Sequence, residues 1–88
     1  MSDLTSLVGE RVVLDAASRY VFIGTMKAVH DQYAVLVDAD AHDLRDTKST
    51  RDLYVLDALQ HGVSVNRRQV WVRLDEIVAI SRLDDVVA

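Results

Sequence analysis

Cysteine and proline are both absent from this chain of 88 residues, and its three glycines, Gly9, Gly24 and Gly62, stand far apart. Without cysteine there are no disulfides, no thiolate metal sites and no thiol nucleophile. Isolated glycines form no phosphate-cradling loop, and neither a Gly-x-Ser-x-Gly elbow nor a His-Glu-x-x-His pair is present. The expectation is a protein that is not an enzyme and carries no cofactor. No apolar run approaches the ~20 residues of a membrane span and no leader-like segment opens the chain, which points to a cytoplasmic protein with no membrane partner. Positive charge is also short: the formal net charge is −4. An acidic chain is a poor general polyanion binder, because such affinity comes from phosphate neutralisation by Lys and Arg. Arg67-Arg68, with Arg73 nearby, is the one basic concentration. It reads either as a fork-shaped phosphate contact or as a solvated turn balanced by Asp75, Glu76 and Asp84-Asp85.

Half of the residues are apolar, so the chain can build a core. Residues 1–88 read as a single domain, small enough that core burial alone is marginal and self-association would help. Ser2, Leu4, Leu7, Val8 and Gly9 suggest a short N-terminal helix, with Ser2 as cap and Gly9 as left-handed stop. Arg11 to Ala16 alternates as a first strand around Val12 and Leu14. Tyr20 to about His30 is a long second strand with Gly24 inside it, and a glycine in a strand marks a bend or a close backbone approach. Phe22, Met26 and Ala28 fall on one face of that strand, and Val21, Ile23 and Val29 on the other. Two apolar faces call for cover on both, by the N-terminal helix or by a neighbouring subunit.

A third strand runs from Tyr33 to about Ala39. Residues 40–65 then read as an insertion: an exposed acidic loop from Asp40 to Ser49, followed by a helix over 50–61. Ser49 and Asp52 make a plausible capping box and Gly62 a helix end. Leu53, Leu56 and Leu59 follow at helical spacing as the buried stripe, with Asp52, Asp57 and Gln60 facing solvent. That stripe packs on the chain's own sheet or meets a protein partner. Asp38-x-Asp40-x-His42 would set three ligand-type side chains on one side of an extended chain. With no fourth ligand at a known spacing, the reading is a solvated acidic loop and no metal site. Val70 and Val72 mark a fourth strand, and Ile77 to Leu83 a fifth after a tight turn at Leu74-Asp75-Glu76.

Gly24, Met26, Val29, His30, Asp31, Gln32, Tyr33 and Ala34-Val35-Leu36-Val37 follow the spacing of the first motif of the Sm-like (LSm) family, and Val72-Arg73-Leu74-Asp75-Glu76-Ile77-Val78-Ala79-Ile80 resembles the second. The resemblance covers about residues 4–39 and 68–83. It implies a mainly β fold, a bent SH3-like barrel of five antiparallel strands with an N-terminal helix, here carrying an inserted helix between strands three and four. It also implies rings in which strand four of one subunit joins strand five of the next. Those strands correspond to Gln69–Arg73 and Ile77–Leu83, with Trp71, Ile77 and Ile80 as interface side chains. An RNA pocket would use Asp31, Tyr33 and Arg73, with Tyr33 stacking on a base. There are departures. Without gaps, the family's aspartate falls on His30 and its base-reading asparagine on Ala34, and its Arg-Gly becomes Arg73-Leu74. Two function classes follow: a self-associating assembly or protein-interaction scaffold, and a weak, low-specificity binder of single-stranded RNA.

Overall fold

The longest ladder in the protein joins its two longest strands. The computed structural model describes residues 3–46 and 50–87. Strands β1 (Arg11–Ala16), β2 (Tyr20–His30), β3 (Tyr33–Asp43), β4 (Arg67–Arg73) and β5 (Ile77–Arg82) form one sheet in the order β4-β3-β2-β1-β5. Every neighbouring pair is antiparallel. One α-helix, α1 (Arg51–His61), stands between β3 and β4, and 3-10 turns cover Asp3–Leu7, Leu44–Asp46, Leu74–Glu76 and Leu83–Asp85. None of the described helices is long and apolar enough to cross a membrane.

Two bulges bend the β2–β3 ladder. Ile23 pairs with Asp40 and Thr25 with Val37, so Gly24 alone faces Asp38 and Ala39. Asp38 takes a left-handed φ of 48°, a conformation that aspartate adopts more readily than most residues, at the point where two residues oppose one. Met26 pairs with Leu36 and Ala28 with Val35, which makes Lys27 the second extra residue. Each bulge reverses the side-chain alternation. Met26 and Val29, three apart, therefore join one core cluster, as do Leu36 and Ala39. This corrects the face expected for Val29, because the period-two count cannot see a bulge.

The sheet has a core on each side. The inner cluster holds Val12, Leu14, Met26, Ala34, Leu36, Ala39 and Val72. Val70 from β4 and Ile77 and Ile80 from β5 pack on that same cluster, so the sheet curls until both outer strands reach one core. Leu7 of the N-terminal turn also lies there, and Gly9 ends that turn at φ 91° as the sequence suggests. The element itself is 3-10 and not α, Val8 is exposed at 45%, and Ser2 lies outside the described residues. The second cluster joins Val13, Val21 and Ile23 to Val55 and Ala58 of α1 and to Leu83. The inserted helix thus covers the second apolar face of β2, where the N-terminal helix or a neighbouring subunit was expected.

The insertion is shorter and better anchored than its composition suggests. β3 continues through Asp40 to Asp43, and only Leu44–Asp46 of the expected loop forms a described turn. Aspartate is a poor strand former, but Asp40 is 2% exposed because Tyr54 and Asn66 donate to its carboxylate. The cap of α1 is Thr50, whose hydroxyl accepts from the Leu53 N–H at 3.2 Å; Ser49, the expected cap, lies outside the described residues. Gly62 closes the helix at φ 93°, its N–H bonded to the Ala58 carbonyl. The buried helical positions are Val55 and Ala58, whereas Leu53 is 58% exposed and Leu56 and Leu59 are half-buried. Tyr54 must face Asp40, and that turns the helix away from a leucine-centred face. Asp52, Asp57 and Gln60 are exposed as expected. β4 begins two residues earlier than Gln69, at Arg67, and β5 stops at Arg82, leaving Leu83 fully buried in the following turn.

Candidate functional site

Two turns meet at one end of the sheet. The pair His30–Tyr33 closes the β2–β3 hairpin around Asp31-Gln32, and the Leu74 N–H donates to the Gln32 carbonyl at 2.8 Å, which ties the β4–β5 turn to it. Tyr33 stands directly across from Arg73, and residues directly opposite in an antiparallel ladder share a face. The three candidates Asp31, Tyr33 and Arg73 are thus brought to one end, all exposed. Arg73 is engaged by Asp75 at 2.8 Å, an exposed pair that holds the guanidinium weakly. Ala34 is fully buried on the opposite face, in the inner cluster. It offers nothing to a base edge. The extra residue at Lys27 lengthens β2 between Gly24 and the turn, so His30 ends the strand and Asp31 occupies the turn itself.

Sequence reasoning missed an aromatic group on the outer face. The His30 ring lies nearly parallel to the Trp71 indole, with centroids 5.2 Å apart and an interplanar angle of 11°. Tyr33 meets the same indole edge-on at 5.8 Å and 62°. Trp71 stays 51% exposed and Tyr33 38%. The signal was available in principle, because a two-residue turn fixes the pairing of His30 with Tyr33, but the partner of Trp71 needs the β3–β4 register across the insertion. Beside the group, Lys27 Nζ donates to Gln69 Oε1 at 3.2 Å. Ile77 and Ile80 line a shallow apolar groove of about 390 Å³ with Leu4, Leu74, Val78 and Ala79. Trp71, on the opposite outer strand, turns its indole onto His30 and Tyr33.

The Asp38-x-Asp40-x-His42 run is divided by the fold. Asp38 is exposed at the bulge, while Asp40 and His42 face the insertion. Asp40 accepts from the Tyr54 hydroxyl and from Asn66 Nδ2 at 3.2 Å, and His42 stacks on the Tyr54 ring at 4.0 Å. Burial first, and the Asp40 hydrogen bond second, push the Tyr54 hydroxyl above its ordinary value of 10.0. Among the described residues no group of three or more His, Asp or Glu is placed to hold a metal ion. A cleft of about 430 Å³ lies between α1, β1, β5 and the C-terminal residues, walled by Val13, Leu53, Val55, Leu56, Val86 and Val87.

A curled antiparallel sheet ordered β4-β3-β2-β1-β5, with an N-terminal turn on its inner core, defines an Sm-like fold. An Sm protein of Pyrococcus abyssii, solved in complex with a uridine heptamer, has this fold. It matches with a TM-score of 0.62 and 17% identity, over 93% of this chain and 99% of that one. An Sm-like protein of Archaeoglobus fulgidus matches with a TM-score of 0.59 and 14% identity, over 90% and 87%. No family model and no curated protein matches the sequence.

Proposed function

We propose that this protein is a non-enzymatic Sm-like module that joins copies of itself edge to edge in a closed ring and serves as an assembly scaffold. The observation that carries this reading is the pair of open edges, β4 and β5, at opposite ends of one curled sheet. Unpaired strand edges present rows of free N–H and C=O groups. Joining β4 of one copy to β5 of the next is a head-to-tail contact, which makes a ring wherever the rotation closes. Support comes from the apolar groove beside β5, where Val78 is 70% exposed and Ile77 and Ile80 flank it. Light scattering at micromolar concentration tests it. A single closed oligomer is expected, and a monomer overturns the reading. Val78→Lys should disperse the assembly while leaving the circular dichroism spectrum unchanged.

A second reading is favoured by the juxtaposition of Tyr33 with Arg73 and by the uridine heptamer held by the Pyrococcus protein. In it, the turn end contacts single-stranded RNA through Tyr33, Arg73 and the backbone around Asp31. Because Ala34 is turned inward, the contacts are π-face and phosphate contacts only, so affinity is weak, nearly sequence-blind and steeply salt-dependent. Tyr33→Ala and Arg73→Ala should each weaken binding with the ring intact. Tight, uridine-selective binding contradicts this reading.

A further inference from the structure

We infer that the outer face of β2–β3–β4 carries a base-stacking platform centred on Trp71, which takes an unpaired base of a single-stranded nucleic acid. The inference rests on the nucleic-acid reading of the turn end and extends it beyond Tyr33 and Arg73 to Trp71, His30 and Lys27.

Trp71 lies in a regular strand opposite Val35, which is itself 2% exposed. His30 covers one face of the ring in near-parallel stacking and Tyr33 abuts its edge. Half of the residue remains open to solvent. The two neighbouring rings hold the indole in place, so a base that stacks on its exposed surface meets a platform with little rotamer freedom left to lose. Stacking of this kind is sequence-tolerant, because every base has a π-face.

The chain is acidic, yet β4 reads Arg67-Arg68-Gln69-Val70-Trp71-Val72-Arg73, with three cations and no carboxylate. Arg11, Arg45 and Arg51 are each paired with an aspartate. Among the described residues Lys27, Arg67 and Arg68 have no carboxylate partner, and Lys27 is held beside the strand by Gln69. Arg73 has Asp75, and Asp31 stands at the adjoining turn. Lys27, tied to Gln69, and Arg73 share the face of Trp71, whereas Arg68 alternates to the face of Val70 and Val72. Cations beside an exposed aromatic complement a phosphate backbone carrying unstacked bases.

Trp71 is the only tryptophan in the chain, so its fluorescence reports this position alone. The wild-type assembly is titrated at low salt with short oligoadenylate, short oligouridylate and inorganic polyphosphate, while anisotropy of a labelled RNA measures binding separately. Oligoadenylate should quench Trp71 more strongly than oligouridylate, and polyphosphate should leave its emission unchanged. Trp71→Ala should weaken binding by about fivefold or more with the mass of the assembly unaltered, and Trp71→Phe should recover part of it. RNA binding with unchanged Trp71 emission, and equal in Trp71→Ala, overturns the platform while the turn-end reading stands. Equal quenching by polyphosphate overturns it too, since charge alone would then explain the response. Dispersal of the assembly by Trp71→Ala would assign the indole to the subunit contact and overturn the platform as well. Absence of any binding at low salt overturns both nucleic-acid readings together.

Discussion

A β-carbon on Gly24 would lie 2.9 Å from the β-carbon of Ala39, a separation that folded side chains do not tolerate. The same atom would meet the Ala39 α-carbon at 3.0 Å and the Val37 carbonyl oxygen at 3.1 Å. Two of the three neighbours are backbone atoms, so a larger residue here cannot be absorbed by turning a side chain. The glycine is what lets β2 and β3 approach where Asp38 makes its bulge.

Gly24→Val is accordingly expected to destabilise the protein by about 1–3 kcal/mol, the usual range for overpacking. Urea unfolding followed by circular dichroism measures it. Ala39→Gly in the same chain removes the closest atom and should restore part of the loss, a coupling visible in a double-mutant cycle. Unchanged stability in Gly24→Val would mean that the bend lies elsewhere.

The Tyr54–Asp40 bond carries a pH signature. Tyr54→Phe leaves one oxygen of a buried carboxylate without its donor and should cost about 1–3 kcal/mol at neutral pH. The Tyr54 hydroxyl is held protonated more tightly in the folded state than at its ordinary value of 10.0. A pKa raised on folding gives stability that is complete below the unfolded value and is lost as pH rises beyond it. The gap in unfolding free energy between wild type and Tyr54→Phe should therefore narrow above pH 10. A gap that stays constant from neutral to strongly alkaline pH would show that the hydroxyl does not titrate with unfolding.

Register along α1 can be read from three substitutions. Leu53→Ser, at a position 58% exposed, should stay within about 0.5 kcal/mol of wild type. Val55→Ala removes buried methyl groups against Val13, Val21 and Ile23 and should cost about 1–2 kcal/mol. Ala58→Asp, which buries a charge with no partner, should undock the helix altogether. If Leu53→Ser were the most damaging of the three, the helix would be rotated from the position described.

Asp43 offers a direct titration. Arg45 donates to its carboxylate through Nη2 at 2.6 Å and Nε at 3.0 Å, and these bonds hold the carboxyl down from 3.8 to about 2. Carbon-detected NMR should give a midpoint near that value in the wild type. In Arg45→Ala the midpoint should move up toward the ordinary carboxylate range, and no movement would mean that Arg45 is not the cause.

Much of the sheet was readable from local pattern. The starts of β1, β2, β3 and β5 follow from alternation and turn residues, and the likeness of Gly24–Val37 and Val72–Ile80 to the Sm motifs supplied the topology. What escaped was set by long-range hydrogen bonds. Asp40 to Asp43 looked like loop because aspartate disfavours strands; pairing with Tyr20 to Ile23 makes it strand, and Tyr54 and Asn66, far along the chain, satisfy the buried Asp40 carboxylate. Bulges at Asp38 and Lys27 are invisible to a period-two count, so Val29 was placed on the wrong face. At the site, Asp31, Tyr33 and Arg73 could be named from the motifs, whereas the stacking of His30 on Trp71 depends on a register that residues 44–66 obscure.

The pairing of β1 with β5 has a kinetic consequence. Val12 lies opposite Arg82, so the two ends of the chain must meet before the sheet is whole. The β2–β3 hairpin closes over the two residues Asp31-Gln32 and can form early, while the β1–β5 ladder must close a loop that spans most of the chain. A nascent chain therefore leaves β1 uncovered on one side until its last strand has emerged. During that interval the exposed edge of β1, and not that of β5, is where two incomplete chains would pair wrongly.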